Sequence, residues 1–62
     1  MEAKDMIKYI AEIRHNITNQ LKGTTFILLA DEVADDEAEA LIEEVLVYGY
    51  HAEIIKKEVA KL

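Results

Sequence analysis

The 62-residue chain contains no cysteine, no proline, no tryptophan and no serine, and its only glycines are Gly23 and Gly49. Without cysteine there are no disulfides and no thiolate chemistry, and two histidines alone form no Cys/His set of metal-ligand spacing. Without serine the commonest hydroxyl nucleophile is gone, and the threonines fall in no recognisable nucleophile motif. Two isolated glycines cannot make a phosphate-cradling loop. No apolar run approaches the roughly 20 residues of a membrane span. The opening "MEAKDMIKYI" alternates charge with apolar residues and has no secretory h-region. These absences, with cysteine missing as it often is in reducing compartments, point to a cytoplasmic protein, not an enzyme, with no cofactor, no metal and no membrane partner.

The second scarcity is basic charge. No Lys or Arg lies between Lys22 and Lys56, while nine acids do, against a net charge of −6 for the whole chain. The stretch "LLADEVADDEAEALIEE", Leu28 to Glu44, holds eight of those carboxylates: Asp31, Glu32, Asp35, Asp36, Glu37, Glu39, Glu43 and Glu44. Direct binding to DNA or RNA is disfavoured, because affinity there comes mainly from Lys and Arg on phosphates.

What is present in quantity is apolar surface, 52% of the residues. Met6, Ile10, Ile13, Ile17 and Leu21 recur at spacings of three and four, the stripe of an amphipathic helix over 2–22 closed by Lys22-Gly23. "TTFILLA" predicts a strand over 24–30, apolar on both faces. An acidic turn follows at 31–35. Asp36 with Glu39 has the spacing of a capping box, opening a helix over 36–48 that Gly49 terminates. Residues 50–61 are ambiguous. Tyr50, Ala52 and Ile54 alternate as a strand, whereas Ala52, Ile55, Val59 and Leu62 keep a heptad spacing. The favoured fold class is α/β, an α–β–α–β two-layer domain whose residues 24–57 form a parallel βαβ unit. The alternative is a mostly α hairpin or bundle with a C-terminal helix.

A single domain of this size buries only about 60% of the surface of its unfolded chain, so oligomerisation is the remaining stabiliser. A homodimer is therefore expected, with Phe26, Ile27, Leu29 and Leu46 at its interface. On a helical wheel Asp35, Asp36, Glu37, Glu39, Glu43 and Glu44 occupy one outward arc, with Asp31 and Glu32 just before it. The first-turn acids are accounted for by the helix dipole. Glu43 and Glu44 are not, and Glu39 with Glu43 is a repulsive i,i+4 pair. The arc does not follow the calcium-loop pattern, since counting from Asp31 puts Val33 at position 3 and Asp36 at position 6. His15 and His51 are far apart in sequence, and Tyr9, Tyr48 and Tyr50 lack the basic groove of a base-stacking platform. Size, charge segregation and lack of cysteine are similar in class, though in no motif, to small acidic proteins of phages and mobile elements that mimic DNA. The reading is then a protein–protein interaction module, a DNA-mimic-type inhibitor whose eight acids occupy the nucleic-acid-binding surface of a basic host protein. The alternative is a structural or regulatory dimerisation protein whose acidity confers solubility.

Overall fold

The computed structural model describes residues 5–61. Four elements follow in order: β1 (Asp5–His15), β2 (Leu21–Leu29), α1 (Asp35–Glu43) and β3 (Tyr50–Lys61). The strands form one sheet in the order β2-β1-β3, and β1 pairs antiparallel with both neighbours. This is a ββαβ architecture, neither the expected α–β–α–β domain nor a helical bundle. A radius of gyration of 12.7 Å exceeds the ~10.6 Å of a compact chain of this length, as long strands under one short helix require.

The largest correction concerns the helix expected over 2–22, of which residues 2–4 lie outside the described part. Six of the eight residues from Met6 to Ile13 are apolar, so a helical stripe and a strand alternation both fit them. The strand wins with β-branched and aromatic residues, Ile7, Tyr9, Ile10 and Ile13, which suit a pleated surface. Register places Ile7, Tyr9, Ala11 and Ile13 on one face, beside Leu29, Ile27, Thr25 and Gly23 of β2. Ile17 and Leu21, the end of the supposed stripe, belong to a hairpin turn and to β2. Asn19 adopts φ 59° in that turn, a left-handed conformation that Asn tolerates.

The expected parallel βαβ pair is corrected as well. β2 and β3 run in the same direction, but β1 lies between them, so the two strands do not pair. Residues 50–61, left between strand and helix, form β3, and the heptad member Leu62 lies outside the described residues. Ala11 pairs with Ile54 and Ile10 with Lys56, so Ile55 is the extra residue of a bulge. That bulge exchanges faces within β3 and produces the spurious heptad spacing. The second helix runs over 35–43 and not 36–48. Ala34 is its N-cap, with no side-chain hydrogen bond, so the Asp36 capping box does not form. Gly49, at φ +99°, turns the chain into β3 in a conformation that glycine alone adopts readily.

The core is small: Tyr9, Ala11, Ala38, Ile42 and Ala52 are buried, with Ile27, Leu46 and Ile54 packed around it. Three of the five are alanines, so α1 approaches the sheet closely. Tyr9 locks the β2–α1 connection to the central strand. The Val33 N–H donates to its hydroxyl oxygen at 2.7 Å, and the hydroxyl donates to the Val33 carbonyl at 2.8 Å. Among the described residues no helix is long and apolar enough to cross a membrane.

Candidate interaction surface

The helix does not sit centrally on the sheet. Its Ile42 clusters with Ala11 of β1 and Ala52 of β3, its backbone runs nearest β3 with a lesser approach to β2, and two of its side chains reach the outer edge of β3. There two of its carboxylates meet backbone amides that have no strand to pair with. Ala52 N–H donates to Glu43 Oε2 at 2.8 Å, and Ile54 N–H donates to Glu39 Oε2 at 2.9 Å. An open strand edge is a template for further strands, and natural edges are blunted by bulges, charges or a covering helix. The β3 edge has all three: the Ile55 bulge, the run Lys56-Lys57-Glu58, and α1 with its two acids.

Glu39 and Glu43 therefore have a structural task that the outward acidic arc did not anticipate. Glu32 is also engaged, with Lys57 Nζ 2.8 Å from its Oε2. The hydrogen bond and charge of Lys57 hold the exposed Glu32 carboxyl below its ordinary range, and Glu32 raises Lys57 in turn. A pair so open to solvent contributes little to stability and is screened by salt. Asp31, Asp35, Asp36, Glu37 and Glu44 are exposed, and none has a basic side chain within ion-pair distance among the described residues. Asp35, Asp36 and Glu37 fill the first turn of α1, facing its positive dipole end.

The four residues expected at a dimer interface do not form one patch. Phe26 is on the sheet face away from the helix, 55% exposed, with Lys8 Nζ 4.6 Å from its ring centroid. Ile27 and Leu29 are half-buried on the helix face, and Leu46 packs against the core past the end of α1. Phe26 instead neighbours Leu28 and, across β1, Ile10. These make an apolar strip on an otherwise charged face that carries Glu12, Arg14, Glu53 and Glu58.

The free edge of β2 contrasts with that of β3. None of its residues is buried, its one charge is Lys22, and its only irregularity lies at the hairpin end, between Ile13 and Arg14 of the partner strand. From Thr24 to Leu29 it pairs regularly with β1 on one side, and among the described residues no side chain bonds to its backbone. Only the whole sheet reveals this difference, because strand order decides which edge the helix covers.

Sequence reasoning also missed the tip of the molecule. Ile17 of the hairpin turn and Val45, Val47 and Tyr48 of the α1–β3 loop are largely exposed. The two loops are joined by the Asn16 N–H donating to the Gly49 carbonyl at 2.9 Å. Between them lies an open cavity of about 640 Å³ lined by His15, Ile17, Leu46, Val47, Tyr48 and Tyr50. The run "VLVY" is the available signal, but the spacing that predicts a helix over 36–48 absorbs it, and the helix ends earlier. His15 packs edge-on against Tyr50, and His51 bonds to Asn16 and Glu53. No His, Asp or Glu group among the described residues has the geometry to hold a metal ion. No protein-family model matches the chain, no curated protein matches it, and no solved structure matches it.

Proposed function

We propose that this protein acts by association: it is a small structural dimerisation module whose sheet is completed by a second copy. The observation that supports this reading is the contrast between the two sheet edges, one blocked by a helix and its carboxylates, the other long, regular and nearly uncharged. A core of five buried residues is meagre for a stable monomer, and further apolar burial on association offsets that deficit. Sedimentation equilibrium at micromolar concentration is expected to give about twice the 7.1 kDa chain mass. A folded monomer throughout that range contradicts the reading.

A second reading is carried by the five carboxylates that pair with no basic side chain among the described residues, Asp31, Asp35, Asp36, Glu37 and Glu44. In it the module offers this surface, in the manner of a DNA mimic, to a basic nucleic-acid-binding protein in the cytoplasm. Glu39 and Glu43 serve the fold, so the mimic has fewer charges than the arc of eight. Displacement of DNA from such a partner is expected to weaken with added salt. Amide replacements at Asp35, Asp36 and Glu37 are expected to weaken it too, and displacement unchanged by them makes the acidic surface a solvated face only.

A further inference from the structure

We infer that the second copy pairs along β2, antiparallel, about a two-fold axis through Ile27, making one continuous six-stranded sheet. The inference rests on the dimer reading and specifies the edge, direction and register of the contact. Direction follows from symmetry. A two-fold axis perpendicular to a sheet joins identical edges antiparallel and keeps both helices on one side.

Register follows from side-chain matching. Residues directly opposite in an antiparallel pair share a face, and apolar or aromatic–aliphatic neighbours stabilise the pair. With the axis at Ile27, Phe26 meets Leu28 of the second copy on the open face. Thr25 meets Leu29 on the helix face, and Ile27 meets its twin. The exposed strip of Phe26 and Leu28 becomes continuous across the axis, and Lys8 over each Phe26 borders it. Just past the strand end, continuing the register brings Lys22 toward Asp31 of the second copy, so opposite charges approach there, while Glu32 stays with Lys57 of its own chain. Moving the axis two residues toward the hairpin, to Thr25, sets Leu28 against Lys22 and Ile27 against Gly23, which loses both matches.

The alternative edge is closed. A strand added to β3 would have to displace Glu43 from Ala52 N–H and Glu39 from Ile54 N–H, and would meet the Ile55 bulge. A stable interface buries about 800 Å² per partner, and nine residues of strand extend only about 30 Å. Backbone pairing alone therefore gives a contact at the small end of that range, and the Phe26–Leu28 strip supplies the apolar part. Micromolar dissociation is the expected scale.

The absence of cysteine permits clean spin labelling. Thr24→Cys and Ala30→Cys are made separately at exposed positions and labelled with nitroxide. Each site lies three residues from Ile27, so each label and its twin are offset by six residues, about 20 Å along the strand. Electron–electron dipolar spectroscopy on the full chain at dimer concentration is expected to give nearly equal distances of about 20 Å for both variants. An axis at Thr25 would give about 7 Å for Thr24 and 34 Å for Ala30. A dimer by sedimentation with unequal distances, or with none in this range, overturns the pairing proposed here and leaves the dimer reading standing. A monomer by sedimentation overturns both.

Discussion

Replacing Tyr9 by alanine is expected to leave the chain largely unfolded at 25 °C. Tyr9 is the largest fully buried side chain, and truncating a buried aromatic costs about 3–5 kcal/mol. At roughly 0.05–0.15 kcal/mol per residue the whole domain has only about 3–9 kcal/mol to lose. Tyr9→Phe separates packing from hydrogen bonding. It keeps the ring but removes the hydroxyl that serves both the N–H and the carbonyl of Val33. Val33 is half-buried, so two poorly solvated groups lose their partner, at about 1–3 kcal/mol in total. Urea denaturation followed by circular dichroism is expected to order the proteins as wild type, Tyr9→Phe, Tyr9→Ala. A Tyr9→Phe midpoint equal to wild type would show that the hydroxyl does not hold the β2–α1 connection.

The double variant Glu39→Ala/Glu43→Ala is expected to lose about 2 kcal/mol and to associate beyond the dimer. Hydrogen bonds to charged groups contribute about 1.5–3 kcal/mol each, and partial exposure places these two at or below the low end. Relief of the Glu39–Glu43 repulsion returns a few tenths of a kcal/mol. Removing the carboxylates also frees the Ala52 and Ile54 amides and opens the second edge of the sheet. Glu39→Gln/Glu43→Gln keeps an acceptor oxygen at each position, so it should retain most of the stability and the wild-type association state. If alanine and glutamine variants behave alike, charge and not edge capping is what these residues supply. The acidic arc alone had implied that amide replacements would be neutral or stabilising, because in that view the two carboxylates faced only water.

That difference shows which parts of the molecule could be read locally. The alternation of Tyr50, Ala52 and Ile54, the apolar run around Phe26 and the acidic start of α1 are contained within a few residues, and each is legible from them. β1 was not, because its open face also carries Met6 and Ile10, so the period of two was masked and helical spacing fitted equally well. The early end of α1 has no Gly or Pro at Glu44 to announce it, so the sequence pattern carries the helix on through Val45, Val47 and Tyr48 and does not show an exposed tip. The role of Glu39 and Glu43 depends on β3 passing beside α1 at residues 52–54, a contact nine and fifteen residues distant in sequence. No pattern within the helix encodes it. Strand alternation in "TTFILLA" sends Phe26 to one face and Ile27 and Leu29 to the other, and that is legible locally; which face the helix covers is not.

In the proposed dimer one edge of the sheet is guarded and the other receives a second copy. Amide hydrogen exchange measured across a dilution series through the dimer dissociation tests it most directly. Protection at Ala52 and Ile54 should be independent of protein concentration, since Glu43 and Glu39 of the same chain supply their acceptors. Within Thr24 to Leu29, alternate amides, those facing away from β1, should exchange faster as the dimer dilutes to monomer, while the others stay protected by β1. Concentration-dependent protection at Ala52 and Ile54, with none along β2, would contradict the account.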